Sequence, residues 1–359
     1  MEQQQETFTF ENLLQAAKEC AKGVKWKNSV IKWDANILNY CLRLEQDLAS
    51  GRFRWSDYII MQITSPKPRT VNSLRFRDRV VQRCMCNTGL YDDLTRGNVY
   101  DNGACQKGKG TKFARNRLKC MMQRHFRQFG DKGWVLSLDI HSFFNSIPHD
   151  RLIQMVYRRV RNPRYRQMVA QVIRSFSTPE SPGKGIGLGS QISQLLAVAY
   201  LSPVDYFAKM MARIDGYIRY CDNIIIIVPD QIVGPDGKTR DGKTIAQNIR
   251  RIIVSMLTDL GLELNPKSTL FPLDKGINFL GFHFRLKPTG GVSVIPLKAS
   301  FRRERRKLAR MVKKMQNGDS RITKQDIWNS FMSWKGYFQH SDAYNRIHRI
   351  ETELRSQLQ

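Results

Sequence analysis

The sequence contains no Cys-x-x-Cys pair and no His-x-x-x-His pair, and its seven cysteines, at 20, 41, 84, 86, 105, 120 and 221, are odd in number. Those absences oppose a structural zinc site and a disulfide framework, and reduced thiols fit a cytoplasmic compartment. No apolar run approaches the roughly 18 residues of a membrane-spanning helix. The opening MEQQQETFTF lacks the basic and apolar regions of a signal peptide. Long low-complexity tracts are missing too, and with 41% hydrophobic residues the 359-residue chain is expected to fold as packed lobes. The scarcest feature is negative charge: 31 Asp and Glu stand against 59 Lys and Arg, a net +28 with a pI near 10.1. A surface so basic repels itself unless it meets a polyanion, for which nucleic acid is the usual candidate.

Apolar residues recur at helical spacing from Phe10 to Ala21 and again from about residue 34 to 48, which predicts a helical N-terminal extension over 1–55. Alternation from Tyr58 to Ser73 around Ser65-Pro66-Lys67-Pro68-Arg69 predicts a basic β-hairpin, with a helix after it from about Phe76 to Gly89. Gly103 to Gly110 reads as a flexible basic loop leading into a helix with Arg115, Arg117 and Lys119. Trp134 to Ile140 reads as a buried strand that ends on Asp139, and Tyr217 to Val228 as a tight hairpin with Asp222 at its tip. Between them lies a glycine-rich turn, Gly183 to Gly189, then a helix starting near Ser190. Ser202, Pro203 and Asp205 read as a capped helix start. Gly234 to Gly242 reads as an exposed loop, followed by a helix from Thr244 to Leu260 and a strand around Ile277 to Phe284. From Lys298 nine cations and one acid, Glu304, crowd a helix that ends at Asn317-Gly318, with Phe301, Leu308, Val312 and Met315 on its apolar side. A further helix from Thr323 carries Trp328, Phe331, Trp334 and Phe338 on a stripe that reads as core rather than a base-stacking platform.

Two acids at strand ends are what nucleotide addition requires, because hard divalent cations prefer carboxylate oxygens and must be held by distant strands brought side by side. The words around them resemble the reverse transcriptase family. Leu138-Asp139-Ile140-His141-Ser142-Phe143-Phe144 is similar to the first catalytic motif, Tyr220-Cys221-Asp222-Asn223 to the Tyr-x-Asp-Asp box, and Phe279-Leu280-Gly281-Phe282 to the primer-grip turn. Pro66-Lys67-Pro68-Arg69 with Asp78-Arg79-Val80-Val81-Gln82 resembles the fingers segment, and Gly261-Leu262-Glu263-Leu264-Asn265-Pro266-Lys267 the motif before the grip. The resemblance runs from about Phe10 to Asn345, in the family's order. Many members have Gln-Gly-x-x-x-Ser-Pro where this chain has Leu188-Gly189-Ser190-Gln191-Ile192-Ser193-Gln194, a variant similar to the enzymes of diversity-generating retroelements.

That resemblance implies an α+β right-hand polymerase with an antiparallel palm sheet flanked by helices. It divides the chain into fingers over 56–130, palm over 131–286 with an interleaved fingers segment at about 150–190, and a helical thumb over 287–359. It implies RNA-templated DNA synthesis with Mg²⁺, or Mn²⁺ as the alternative, held by Asp139, Asp222, the Ile140 carbonyl and Asn223. Asn223 departs from the family, which places a second carboxylate there. Lys267 is the implied proton donor to the leaving pyrophosphate. Lys67, Arg69, Phe144, Leu188, Gly189 and Gln194 are the implied nucleotide-binding residues, with Phe144 under the sugar. Phe279, Leu280, Gly281 and Phe282 are the implied primer grip. Arg302, Arg303, Arg305, Arg306, Arg310 and Lys313 are the implied contacts to nucleic-acid phosphates. Template RNA, cDNA, deoxynucleoside triphosphates and a small basic accessory protein oligomer are the implied partners, in a cytoplasmic, bacterial or phage-encoded setting. Two other readings stay open: an intron-like or phage-defence reverse transcriptase, and a non-catalytic RNA-binding protein on the same scaffold.

Overall fold

The run Ile224 to Val228 is apolar at every position, so a strand made from it must be covered on both faces. The structure, a computed structural model, describes residues 7–63, 69–176, 181–234 and 236–358. Its strands are β1 Ile59–Ile63, β2 Arg69–Ser73, β3 Gly133–Leu138, β4 Gly216–Tyr220, β5 Asn223–Pro229, β6 Gln231–Val233, β7 Thr239–Asp241, β8 Thr269–Pro272, β9 Ile277–Phe279, β10 Phe282–Leu286 and β11 Val292–Pro296. The central sheet has the order β4-β5-β3-β8 with every pairing antiparallel. Alternate residues of β5 serve two different cores. Ile224, Ile226 and Val228 join the helix Gly242–Asp259 through its Ala246, Ile249, Ile253 and Leu257. Ile225 and Ile227 face the other way, into a core shared with Ala114, Leu118, Met121 and Met122 of the helix Thr111–Phe129. Full burial of each such side chain stabilises by about 1.5–3 kcal/mol, which makes β5 the firmest part of the sheet.

The expected hairpin forms from β1 and β2, with Ile59 opposite Ser73 and Ile63 opposite Arg69; its turn, including Lys67, lies outside the described residues. Helices His149–Arg159 and Pro163–Arg174 fill the stretch inserted between the two acids, and the helix expected to start near Ser190 runs over Gln191–Tyr200 with Ser190 as its N-cap. Three helices close the described chain: Lys298–Gln316, Lys324–Phe338 and Tyr344–Leu358. Thr323 and Asp326 form a reciprocal capping box at the second. Phe331 and Phe338 of that helix are buried and Trp334 packs edge-on against Phe301, so the aromatic stripe is core.

Four local expectations are corrected. Ile277 to Phe284 is not one strand, because Leu280 and Gly281 take left-handed φ of 47° and 84° and reverse the chain between β9 and β10. Gly234 to Gly242 is not all loop, since β7 lies within it and pairs with β6 just before it. The loop from Gly103 is tied down rather than flexible: Asn102 and Ala104 are buried, Gly103 N donates to Arg219 O at 2.9 Å, and Lys109 Nζ donates to the carbonyls of Tyr100 and Asn102. The helix Ser202–Tyr206 has no side-chain cap, since Asp205 turns inward to Arg219. Among the described residues no helix is long and apolar enough to cross a membrane.

Candidate active site

Asp139 is the first residue beyond β3. The last pair of the β3–β5 ladder is Leu138 with Ile224, and the last pair of β4–β5 is Tyr220 with Asn223. Continuing the first register by one step sets Asp139 opposite Asn223, about one strand spacing away, ~5 Å. Cys221 and Asp222 make the two-residue turn, with Cys221 at φ 54°. The two acids therefore meet at one end of the central strand pair, both half-buried.

A second segment closes over Asp139. Ile140 bridges Leu264, and the two hydrogen bonds of that bridge run from Asn265 N to Asp139 O and from His141 N to Glu263 O, each 2.8 Å, leaving the Ile140 carbonyl outside them. Asn265 Nδ2 donates to Asp139 Oδ2 at 2.8 Å, and Ser268 Oγ accepts from Asp139 N at 3.0 Å.

The hairpin is fixed from behind by a buried ion pair. Arg219 and Asp205 are both wholly inaccessible; Arg219 Nε donates to Asp205 Oδ1 at 2.7 Å, its Nη1 to the Cys221 carbonyl at 2.9 Å and its Nη2 to Val198 O at 2.9 Å. Tyr217 OH also donates to Asp205 Oδ1, and burial together with that carboxylate pushes the phenol well above its usual pKa. The guanidinium is held fully charged, since Asp205 outweighs the burial that opposes it. The Cys105 Sγ, on the anchored loop, donates to Gln194 Oε1 at 3.9 Å; its interaction with the neighbouring Cys221 thiol lowers the Cys105 pKa and, together with burial, raises that of Cys221.

The family model for "Reverse transcriptase (RNA-dependent DNA polymerase)" matches residues 65–284, more than half of the chain and both acids. The chain belongs to the reverse transcriptase family. Its antiparallel sheet flanked by helices gives it the α+β right-hand polymerase fold. Among curated proteins it is similar to the putative COX1/OXI3 intron 1 and intron 2 proteins of Saccharomyces cerevisiae. They are 22% and 20% identical over stretches that cover 71% and 72% of this chain and 36% and 35% of theirs. The chain thus spans about a third of the length of these curated relatives. Among solved structures it overlaps telomerase from Candida tropicalis, with TM-score 0.48 and 9% identity over 71% of this chain and 59% of that one. For telomerase from Candida albicans the values are 0.46 and 9%, over 90% and 64%.

Reverse transcriptases generally use divalent metals, and the oxygens here suit Mg²⁺, which takes one or two carboxylates and completes its shell with waters and substrate phosphates. Among the described residues no group of three or more His, Cys, Asp or Glu gathers to hold a metal; the groups here that could hold one are Asp139, Asp222 and the Ile140 carbonyl. Asn223 Nδ2 donates to Asp222 Oδ1 at 3.1 Å, the natural arrangement for an amide beside a carboxylate, and its own oxygen remains an acceptor that could meet a cation.

The remaining candidates divide. Phe144 is half-buried in the short helix Phe143–Ser146, and its carbonyl accepts from Ile186 N at 2.7 Å. Arg69 opens β2. Leu188 and Gly189 are adjacent on the turn. Leu188 borders a cleft of about 410 Å³ with Thr70, Asn72 and Lys184. Gly189 and Gln194 line another of about 470 Å³ with Arg83, Tyr91 and Lys107. Lys267 is exposed beside Asn265. Of the four residues expected at the primer grip, Phe279 and Phe282 are buried at 3% and 1% exposure, and Leu280 and Gly281 make the turn between them. All six cations expected to meet phosphates are exposed, but Arg305 is paired with Glu353 at 2.9 Å. Arg302 and Arg305 face the last helix, lining with Lys298, Arg346 and Arg349 a cleft of about 230 Å³. Asn265, Ser268, Arg219 and Asp205 were missed as site residues. Asn265 lies inside the stretch Gly261 to Lys267, but no local pattern points to its partner.

Proposed function

We propose that this chain is an RNA-directed DNA polymerase that adds deoxynucleotides to a primer along an RNA template. The observation that carries the reading is the meeting of Asp139 and Asp222 at one end of a sheet buried on both faces. Two Mg²⁺, or Mn²⁺, bound there would activate the primer's 3′ hydroxyl and neutralise the departing pyrophosphate. Asp139 offers Oδ1, its other oxygen being taken by Asn265. Phe144 lies under the sugar and excludes a ribose 2′ hydroxyl, Lys67 and Arg69 neutralise the triphosphate, and Leu188, Gly189 and Gln194 border the new base pair. Lys267 gives a proton to the leaving group. The Leu280-Gly281 turn and the exposed thumb cations hold the primer and template through phosphates, contacts that are independent of sequence.

At finer scale, the stretch Leu188 to Gln194 supports a diversity-generating retroelement enzyme that copies a template repeat with errors at adenines, assisted by a small basic accessory protein oligomer. The similarity to the yeast intron proteins favours a second reading, an intron-like reverse transcriptase. A variable repeat and its near-copy beside the gene support the first; an intron around the gene supports the second.

The test is extension of a DNA primer on poly-rA by wild type and Asp222→Asn. The substitution is expected to lower incorporation by more than about 100-fold. Equal incorporation by the two defeats the reading, and RNA binding without extension by the wild type supports a non-catalytic scaffold instead.

A further inference from the structure

Asp139 is held by one short loop at nearly every hydrogen-bonding position it has. Its backbone N–H goes to Ser268 Oγ at 3.0 Å, its carbonyl takes the Asn265 N–H at 2.8 Å, and its Oδ2 takes Asn265 Nδ2 at 2.8 Å. The loop is itself anchored on both sides. Leu262 is buried and Leu264 bridges Ile140 before it, and β8 begins after it with Thr269 opposite Ser137 of β3. Asn265 is also engaged at its other end, where Oδ1 accepts from Lys267 N at 3.1 Å. That contact fixes which end of the amide is which. An oxygen facing the Lys267 N–H leaves only the NH₂ to face Asp139, so the donation to the carboxylate is not an arbitrary flip. One side chain therefore joins the carboxylate to the backbone of the residue proposed as proton donor.

We propose that Asn265 is the positioning residue of this site: it holds Oδ2 of Asp139, so that Oδ1 would be the oxygen left for a cation, and it keeps the Lys267 loop in register with that carboxylate. The inference rests on the polymerase reading, in which Asp139 is a metal ligand. Partners that orient a ligating carboxylate typically change metal affinity or activity by about 10–100-fold when removed. Ser268 restrains the same backbone but touches neither carboxylate oxygen, so its loss should act more weakly on the metal.

The test uses the full chain and Mn²⁺ alone as probe, followed by electron paramagnetic resonance without substrate, beside Mg²⁺ titrations of primer extension. Asn265→Ala is expected to keep the wild-type thermal midpoint, weaken Mn²⁺ binding by about 10-fold or more, and raise the Mg²⁺ needed for half-maximal extension. Asn265→Gln, which keeps the amide but displaces it by one methylene, should move both quantities in the same direction and serves if the alanine variant does not fold. Asp139→Asn is the control for the underlying reading. If Asp139→Asn binds Mn²⁺ like the wild type, the metal-site reading fails and this inference with it. If Asp139→Asn loses Mn²⁺ while a folded Asn265 variant keeps wild-type affinity and Mg²⁺ requirement, the positioning role alone is overturned.

Discussion

A lone carboxylate among nine cations is expected to form an ion pair, and Glu304 does the opposite. It lies on the covered side of the helix Lys298–Gln316 at 5% exposure, its Oε1 has no hydrogen-bond partner among the described residues, and burial raises its pKa above the usual 4.5. A carboxyl whose folded pKa is raised contributes stability below its unfolded pKa and loses it as pH rises through the folded value. Glu304→Gln should therefore stabilise the protein near pH 7 by about 1 kcal/mol. The gain should shrink as pH falls toward 4.5. Thermal unfolding at the two pH values measures it, and a gain independent of pH contradicts the assignment. Leu188 offers a second test at this scale. Its backbone is fixed by Asn72 N, which donates to Leu188 O at 3.1 Å, so a new side chain leaves the turn in place. Leu188→Gln restores the family's amide to the pair pocket and is expected to lower misincorporation at adenines; an unaltered error spectrum in sequenced cDNA counts against the retroelement reading.

At the scale of elements, the β4–β5 hairpin depends on charges it does not display. Arg219 reaches from β4 to its own turn through the Cys221 carbonyl and to Asp205 on the helix Ser202–Tyr206. Removing one member of a buried pair leaves the other charge uncompensated and costs about 3–5 kcal/mol, whereas replacing both by apolar groups is often near neutral. Asp205→Asn should accordingly destabilise by that amount in denaturant titrations. The double change Asp205→Leu with Arg219→Met should recover most of the stability. It also releases the Cys221 carbonyl, so extension is expected to stay low in a folded protein. Full activity in the double variant would show that the turn keeps its position without the clamp.

Across the whole molecule, the proposed function would make the +28 net charge set how firmly the chain meets nucleic acid. Affinity governed by phosphate contacts falls linearly in log–log form with salt, and each lost contact shallows the slope by about 0.7–0.9. Arg303, Arg306 and Arg310, at helical spacing on the exposed side of the first thumb helix, are the place to test this. Their joint replacement by Ala should weaken binding to a primer–template duplex and reduce the slope by about 2–3 if all three touch phosphates. An unchanged slope assigns the duplex to another surface.

The sequence alone settled whatever depends on neighbours along the chain. The apolar run of β5, the N-caps at Ser190 and Thr323, the two-residue turn carrying Asp222 and the basic helix after Lys298 all follow from spacing and local chemistry. Only the tertiary structure decided which side of an element a residue faces and what it meets there. Phe279 and Phe282 are core because Leu280 and Gly281 reverse the chain between them. Asp205 serves Arg219 rather than a helix end, and Asn265 meets Asp139 across 126 positions of sequence. Partners that distant are brought together by the burial of the strands between them, and local periodicity holds no record of that closure.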